Sequence, residues 1–153
     1  MNIRPLKVSE IDRLETFLLP LYHESERYKK NGFIYKSVDA KKSVESIIKT
    51  GGTVIIAEKD NKIIGAIGGF ISPWWCNYDH RIATELLLYV QKVNTWPKEL
   101  FRLIDAFCDW AITKGAIIVE IARLPHLKKM DRVFKRKGFF ESDQYFARSL
   151  KNG

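Results

Sequence analysis

The chain has little cysteine, no long apolar run and no internal repetition. Its two cysteines, Cys76 and Cys108, stand far apart. Neither belongs to a Cys-x-x-Cys pair or has a histidine at ligand spacing, which excludes a disulfide scaffold and a thiolate zinc site. Reduced thiols and no metal are expected. No stretch approaches the about 20 apolar residues that span a bilayer, and the first residues, Met-Asn-Ile-Arg-Pro-Leu, lack the apolar core of a signal peptide. A cytoplasmic chain with no membrane partner is the expectation. With no repeat, low-complexity tract or linker, its 153 residues suit a single domain over 1–153.

What is present is a core and an excess of positive charge. Hydrophobic residues make up 46% and charged residues 29%, the balance of a globular protein. Lysine and arginine number 26 against 18 acids, a formal +8, so an anionic ligand or polyanionic partner is in keeping with the charge. Seven of these cations (Arg123, Lys128, Lys129, Arg132, Lys135, Arg136, Lys137) fall between 123 and 137 against one acid, Asp131.

Periodicity predicts the elements. Asn2–Leu6, with Pro5, fits an edge strand. Ser9 and Asp12 have capping-box spacing before a helix bearing Ile11, Leu14, Phe17 and Leu18, with Glu10, Arg13 and Glu15 left for solvent and an end near Pro20. A second helix begins near Asp39, carries Val44, Ile47 and Ile48, and stops at Gly51-Gly52. Thr53–Glu58 and Lys62–Phe70 form a hairpin across Lys59-Asp60-Asn61. A loop or irregular strand end over 71–81 and a strand over Ile82–Val90 follow.

Pro97 suits the start of a helix striped with Leu100, Leu103, Ile104, Phe107, Trp110 and Ala111, closed by Gly115. Ala116–Ala122 is continuous enough in apolar residues to predict a central strand covered on both faces. A helix over His126–Lys137, stopped by Gly138, and a final strand over Phe139–Leu150 complete a mixed α/β fold, a largely antiparallel sheet with helices on both faces.

Several phrases in this order carry a resemblance. They are Ile3-Arg4-Pro5-Leu6 before the first helix, Ile64-Gly65-Ala66-Ile67-Gly68-Gly69 in the hairpin, and the strand Glu85–Val90. Asp109-Trp110-Ala111 before Lys114-Gly115-Ala116 and Phe134-Lys135-Arg136-Lys137-Gly138-Phe139 continue the series. Together they resemble the GNAT (GCN5-related N-acetyltransferase) superfamily over nearly the whole chain, and look most like its small bacteriophage-carried members. The resemblance implies a sheet whose fourth and fifth strands splay apart to take acetyl-CoA as an added strand would. It implies main-chain contacts at Leu88 and Val90, and a phosphate site over Gln91, Asn94, Thr95, Trp96 and Lys98, where unpartnered helix N–H groups meet the anion. Dimers are common in that superfamily, so a homodimer is compatible with the likeness.

Two departures stand out. At the three positions of the superfamily's phosphate loop, Gln/Arg-x-x-Gly-x-Gly/Ala, stand Thr95, Lys98 and Leu100, so the small residues are gone and Lys98 offers a direct charge instead. Its usual tyrosine acid on the last helix is replaced by Phe134, which has no proton to donate, leaving Tyr89 or Tyr145 as candidate acids.

Glu85, an acid within an apolar strand, is the candidate base toward a primary amine acceptor, provided a bulge corrects its one-residue phase against Val90. Glu120, the sole acid of the next strand, is a weaker candidate that equally suits a buried partner role. His80, with Asp79, is a candidate proton relay or a solvated loop residue. Trp74, Trp75 and Tyr78 would either stack on a flat acceptor or, for a tryptophan, plug the core. Lys128, Arg132 and Arg136 make a stripe able to hold phosphates, which opens a second reading: a GNAT-fold protein that binds or modifies nucleic acid. A third is a host-protein-binding module without catalysis.

Overall fold

Proline at position 5 has no N–H for a ladder, and among the described residues it lies on an edge: strand β1 (Asn2–Pro5) pairs there with β2 (Thr53–Lys59) alone. In this computed structural model, which describes residues 1–24, 32–91, 96–122 and 131–142, β2 then pairs antiparallel with β3 (Lys62–Trp74). Asp60 and Asn61 between them have φ of 50° and 59°, the left-handed pair that matches strand twist in a two-residue turn. β3 pairs antiparallel with β4 (Asn77–Val90), and β4 pairs parallel with β5 (Ala116–Glu120). The sheet order is β1-β2-β3-β4-β5.

Alternation along the strands divides the core. One face of the sheet, with Val54, Ile56, Ala66, Leu87 and Tyr89, packs against helices α1 (Ile11–Glu24) and α2 (Ser37–Lys49) through Leu14, Phe17, Leu18, Val44, Ile47 and Ile48. The other face receives helix α3 (Trp96–Thr113), whose Leu100, Phe101, Leu103, Ile104, Phe107 and Ala111 are buried. Trp110 is only half-buried, stacked on Phe107 at 5.1 Å. Gly115, at φ 73°, ends α3 as predicted.

Several expectations are corrected. α1 continues past Pro20 to Glu24; the missing N–H costs one hydrogen bond, while Leu21 and Tyr22 beyond it still pack on the core and hold the helix. Its entry is a 3₁₀ turn, Val8–Glu10, in which the carboxylate of Glu10, not Asp12, accepts the Lys7 N–H at 3.1 Å. Glu10 and Arg13 are not solvent ornaments either. Arg4 donates to Glu10 at 2.7 Å and Glu58 at 3.1 Å, and Arg13 to Glu10 at 2.8 Å and Glu58 at 2.5 Å, tying β1, α1 and β2 together. Glu15 accepts the hydroxyl of Tyr35.

Of the two readings of 71–81, loop or irregular strand end, the second holds: it is the extended, irregular end of the β3–β4 hairpin. β5 is an end strand among the described residues, and Ile117 is 61% exposed, so its apolar run is not covered on both faces. An unbroken apolar string does not by itself report how many sides are covered.

Residues Met1–Ile121 make one compact unit and Ala122–Gly153 a second. In the second, helix α4 (Asp131–Arg136) ends at Gly138, φ 86°, with Phe139 packed edge-on against Phe134 at 5.4 Å. Phe139–Ser142 is not strand. The rest of the predicted last strand, with Tyr145, lies outside the described residues.

Candidate active site

Gly69 determines the geometry of the site. A Cβ there would run into the Thr84 carbonyl oxygen and stand 2.8 Å from the Phe107 ring, so only glycine lets β4 approach this closely. Opposite it β4 bulges: Gly69 faces Glu85 while Gly68 faces Leu87, leaving Leu86 as the extra, exposed residue. The bulge resets the alternation, which is why Ala83 and Leu88 are both buried although four residues, an even number, lie between them. Thus the phase correction that Glu85 required is present in the backbone. Glu85 sits half-buried at the bulge.

The same place ends the pairing of β4 with β5. Their register runs from Arg81 opposite Ala116 to Thr84 opposite Glu120 and stops, with the Thr84 hydroxyl donating to Glu120 at 3.4 Å. Beyond it, Glu85–Val90 is paired with β3 on one side, and no described strand pairs with it on the other. Gln91 N–H donates to Ile64 O at 3.0 Å, which fixes the phase of the ladder. By antiparallel alternation the main-chain groups of Tyr89 then face β3, and those of Leu88 and Val90 face the open side. An extended chain with amide groups can bind there as a strand would.

At the end of this edge lies the start of α3. Trp96 and Lys98 fall in its first turn and Lys98 is exposed; Asn94 and Thr95, with the side chain of Trp96, lie outside the described residues. Leu100, at the third position where the superfamily has a small residue, is 2% exposed and belongs to the core. The first turn also holds a group that sequence reasoning missed. Glu99 Oε2 is buried with no hydrogen-bond partner among the described residues. An acid in the first turn of a helix is itself a sequence signal, ordinarily read as a partner for the helix dipole. The open edge thus offers main-chain groups to an extended chain, and it leads to a helix start where Lys98 is exposed beside Glu99.

Tyr89 is half-buried on the α1–α2 face with its ring 5.1 Å from that of Phe17. Glu120 is half-buried as the partner of Thr84. The structure brings Trp74 and His80 together, stacked at 6.2 Å across the hairpin. Neither tryptophan plugs the core: Trp74 is 41% and Trp75 82% exposed, because the hairpin carries both beyond the end of the packed helices. Arg132 and Arg136 are exposed on α4, while Lys128 lies outside the described residues. Among the described residues no cluster could hold a metal ion, and no helix is long and apolar enough to cross a membrane.

No protein-family model and no curated protein sequence matches this chain. Solved structures do. A predicted acetyltransferase of Clostridium acetobutylicum crystallised with acetyl-CoA shares 15% identity over 97% of this chain and 96% of its own, with a TM-score of 0.74. An acetyltransferase of Trypanosoma brucei matches at 15% identity, 97% and 99% coverage and a TM-score of 0.72. Glucosamine-6-phosphate N-acetyltransferase of Arabidopsis thaliana matches at 13%, 98% of each chain and 0.73. At these identities the likeness establishes the fold, which is GNAT-like, with the mixed sheet and parallel β4–β5 pair described above.

Proposed function

We propose that the protein is an N-acetyltransferase that transfers an acetyl group from acetyl-CoA to a primary amine. The observation that carries this reading is the open edge of β4, where the main-chain groups of Leu88 and Val90 face outward beside a bulge bearing Glu85. When bound, acetyl-CoA supplies an acetyl group activated as a thioester; the chain supplies position and proton handling. Leu88 and Val90 hold the pantetheine amides, and Lys98 balances phosphate charge at the start of α3, in company with Gln91 and the segment through Asn94, Thr95 and Trp96. Glu85, half-buried at the bulge, accepts the proton that the amine sheds as it attacks. Tyr89 is the proton donor toward the departing thiolate, in the role that Phe134 cannot fill.

The test is steady-state kinetics with acetyl-CoA and a panel of amines, following release of the free thiol. Glu85→Gln should lower kcat with little change in acetyl-CoA affinity and should remove the fall in rate toward acid pH that protonation of a general base produces. Unaltered turnover in that variant would remove Glu85 from the mechanism. Tyr89→Phe keeps the ring against Phe17 and removes only the hydroxyl, so it isolates the donor role.

A further inference from the structure

The opposite end of β4 holds a cleft that acyl transfer does not use. It has a volume of about 510 Å³ and is lined by Thr50, Gly51, Ile71, Pro73, Tyr78, Arg81 and Lys114. From Arg81 to Val90 the strand spans about 30 Å at about 3.3 Å per residue, so the cleft is remote from the start of α3.

Its walls come from a departure in the hairpin. Pro73 pairs with Arg81 but Trp74 with Asn77, so Tyr78, Asp79 and His80 form an extra bulge on β4. The Asn77 side chain accepts the Asp79 N–H at 3.0 Å and shapes the bulge. Tyr78 lies on this bulge, 75% exposed, and lines the cleft across from Pro73.

The charge of the cleft is of one sign. Arg81 donates once, to the Lys114 carbonyl at 3.2 Å, and neither Arg81 nor Lys114 has an ion-pair partner among the described residues. Among the described residues no carboxylate lines the cleft. The donors at its other wall are already spent, the Thr50 hydroxyl on Ser46 O and the Gly51 N–H on Ile48 O. This contrasts with Arg4 and Arg13, both saturated by carboxylates. A simple inorganic anion would leave the flat apolar wall unused, and an apolar ligand would leave two cations without a counter-charge. The volume is that of a small-molecule site.

We propose that this cleft binds a nucleotide unit, with the base against Tyr78 and Pro73 and the phosphate on Arg81 and Lys114. Trp75, exposed at the hairpin tip, and the stacked Trp74–His80 pair provide flat surfaces for a following base if the unit is part of a single strand. The proposal is independent of the acetyl-transfer reading and survives if that reading fails.

The test is fluorescence anisotropy with a labelled oligothymidylate, with thymidine monophosphate, inorganic phosphate and a polyglutamate peptide as competitors. Tyr78→Ala should weaken strand binding by at least about fivefold, the low end for loss of one stacked base, while Tyr78→Phe retains it. Lys114→Gln and Arg81→Gln should weaken it and reduce its salt dependence, and Lys62→Gln, on the distant β2–β3 turn, should not. Competition by the monophosphate identifies a free nucleotide as sufficient; competition by longer strands alone identifies a strand. Tyr78 and Lys114 are surface side chains, and melting curves of each variant show whether the fold is intact. Absence of nucleotide binding at millimolar ligand, equal competition by inorganic phosphate or polyglutamate, or binding indifferent to both Tyr78→Ala and Lys114→Gln would overturn the proposal.

Discussion

At its C-terminal end β4 keeps a partner on one side only, with Leu88 and Val90 turning main-chain groups outward beside a half-buried acid. At its N-terminal end the same strand is paired on both sides through Arg81–Thr84, and what it offers a ligand is side chains: Tyr78, Arg81 and the stacked Trp74–His80. Recognition at the first end rests on backbone geometry, which tolerates wide sequence change. The fold itself is kept at 13% to 15% identity to the structures it matches. Recognition at the second end rests on residue identity, so single substitutions should remove it.

The largest expected effect is at Gly69. Gly69→Val forces a side chain against the Thr84 carbonyl and the Phe107 ring; overpacking of this kind typically costs about 1–3 kcal/mol. Thermal unfolding should show that loss, and acetyl-CoA binding should fail with it while the nucleotide cleft keeps its lining residues. If the variant melts like the parent and still binds acetyl-CoA, the bulge is not what shapes the donor edge.

Next in size is Glu85→Gln, for which a fall in kcat of about 10²–10⁴-fold is expected of a lost general base. A smaller and opposite effect is expected at Glu99. Its buried carboxylate oxygen, without a hydrogen-bond partner among the described residues, stands in the first turn of α3, where a phosphate and a carboxylate would compete for the same positive end. Glu99→Gln should tighten acetyl-CoA several-fold by titration calorimetry, and unchanged or weaker binding would place the phosphates elsewhere.

The smallest effect concerns neither end but the clamp that holds β1 and α1 to β2. Hydrogen bonding from Arg4 holds the Glu10 carboxyl down at about 2, below its ordinary 4.5. A carboxyl with a depressed folded-state value stabilises the protein above its unfolded value. That contribution is therefore intact above about pH 4.5 and is lost as pH falls toward about 2. Glu10→Gln should be less stable than the parent at neutral pH, and the difference should shrink across that window. A constant difference between the two would contradict the clamp.

Much of the fold was legible because local and global signals agree in this chain. The Asp60-Asn61 turn, the Gly51 and Gly115 stops and the apolar stripe of α3 all follow from short-range chemistry. The errors arose where tertiary contacts decide. Pro20 stays helical because residues on both sides of it pack on one core, and the choice left open over 71–81, loop or strand end, is decided by β3 and β4 pairing through turn-forming residues. For the site, Glu85, Leu88 and Val90 were legible as a strand, and the need for a bulge could be counted. That Gly69 makes the bulge required knowing what stands across from it. Glu99 was missed because its lack of a partner is visible only in three dimensions.

The central claim is that the open edge of β4, leading to the start of α3, is an acetyl-CoA site. Its most direct test is calorimetric titration of acetyl-CoA into the parent protein and into Lys98→Glu and Lys62→Glu. The account predicts one saturable site, weakened by the charge reversal at Lys98 and untouched by that at Lys62. No binding at millimolar acetyl-CoA, or equal loss in both variants, would contradict it.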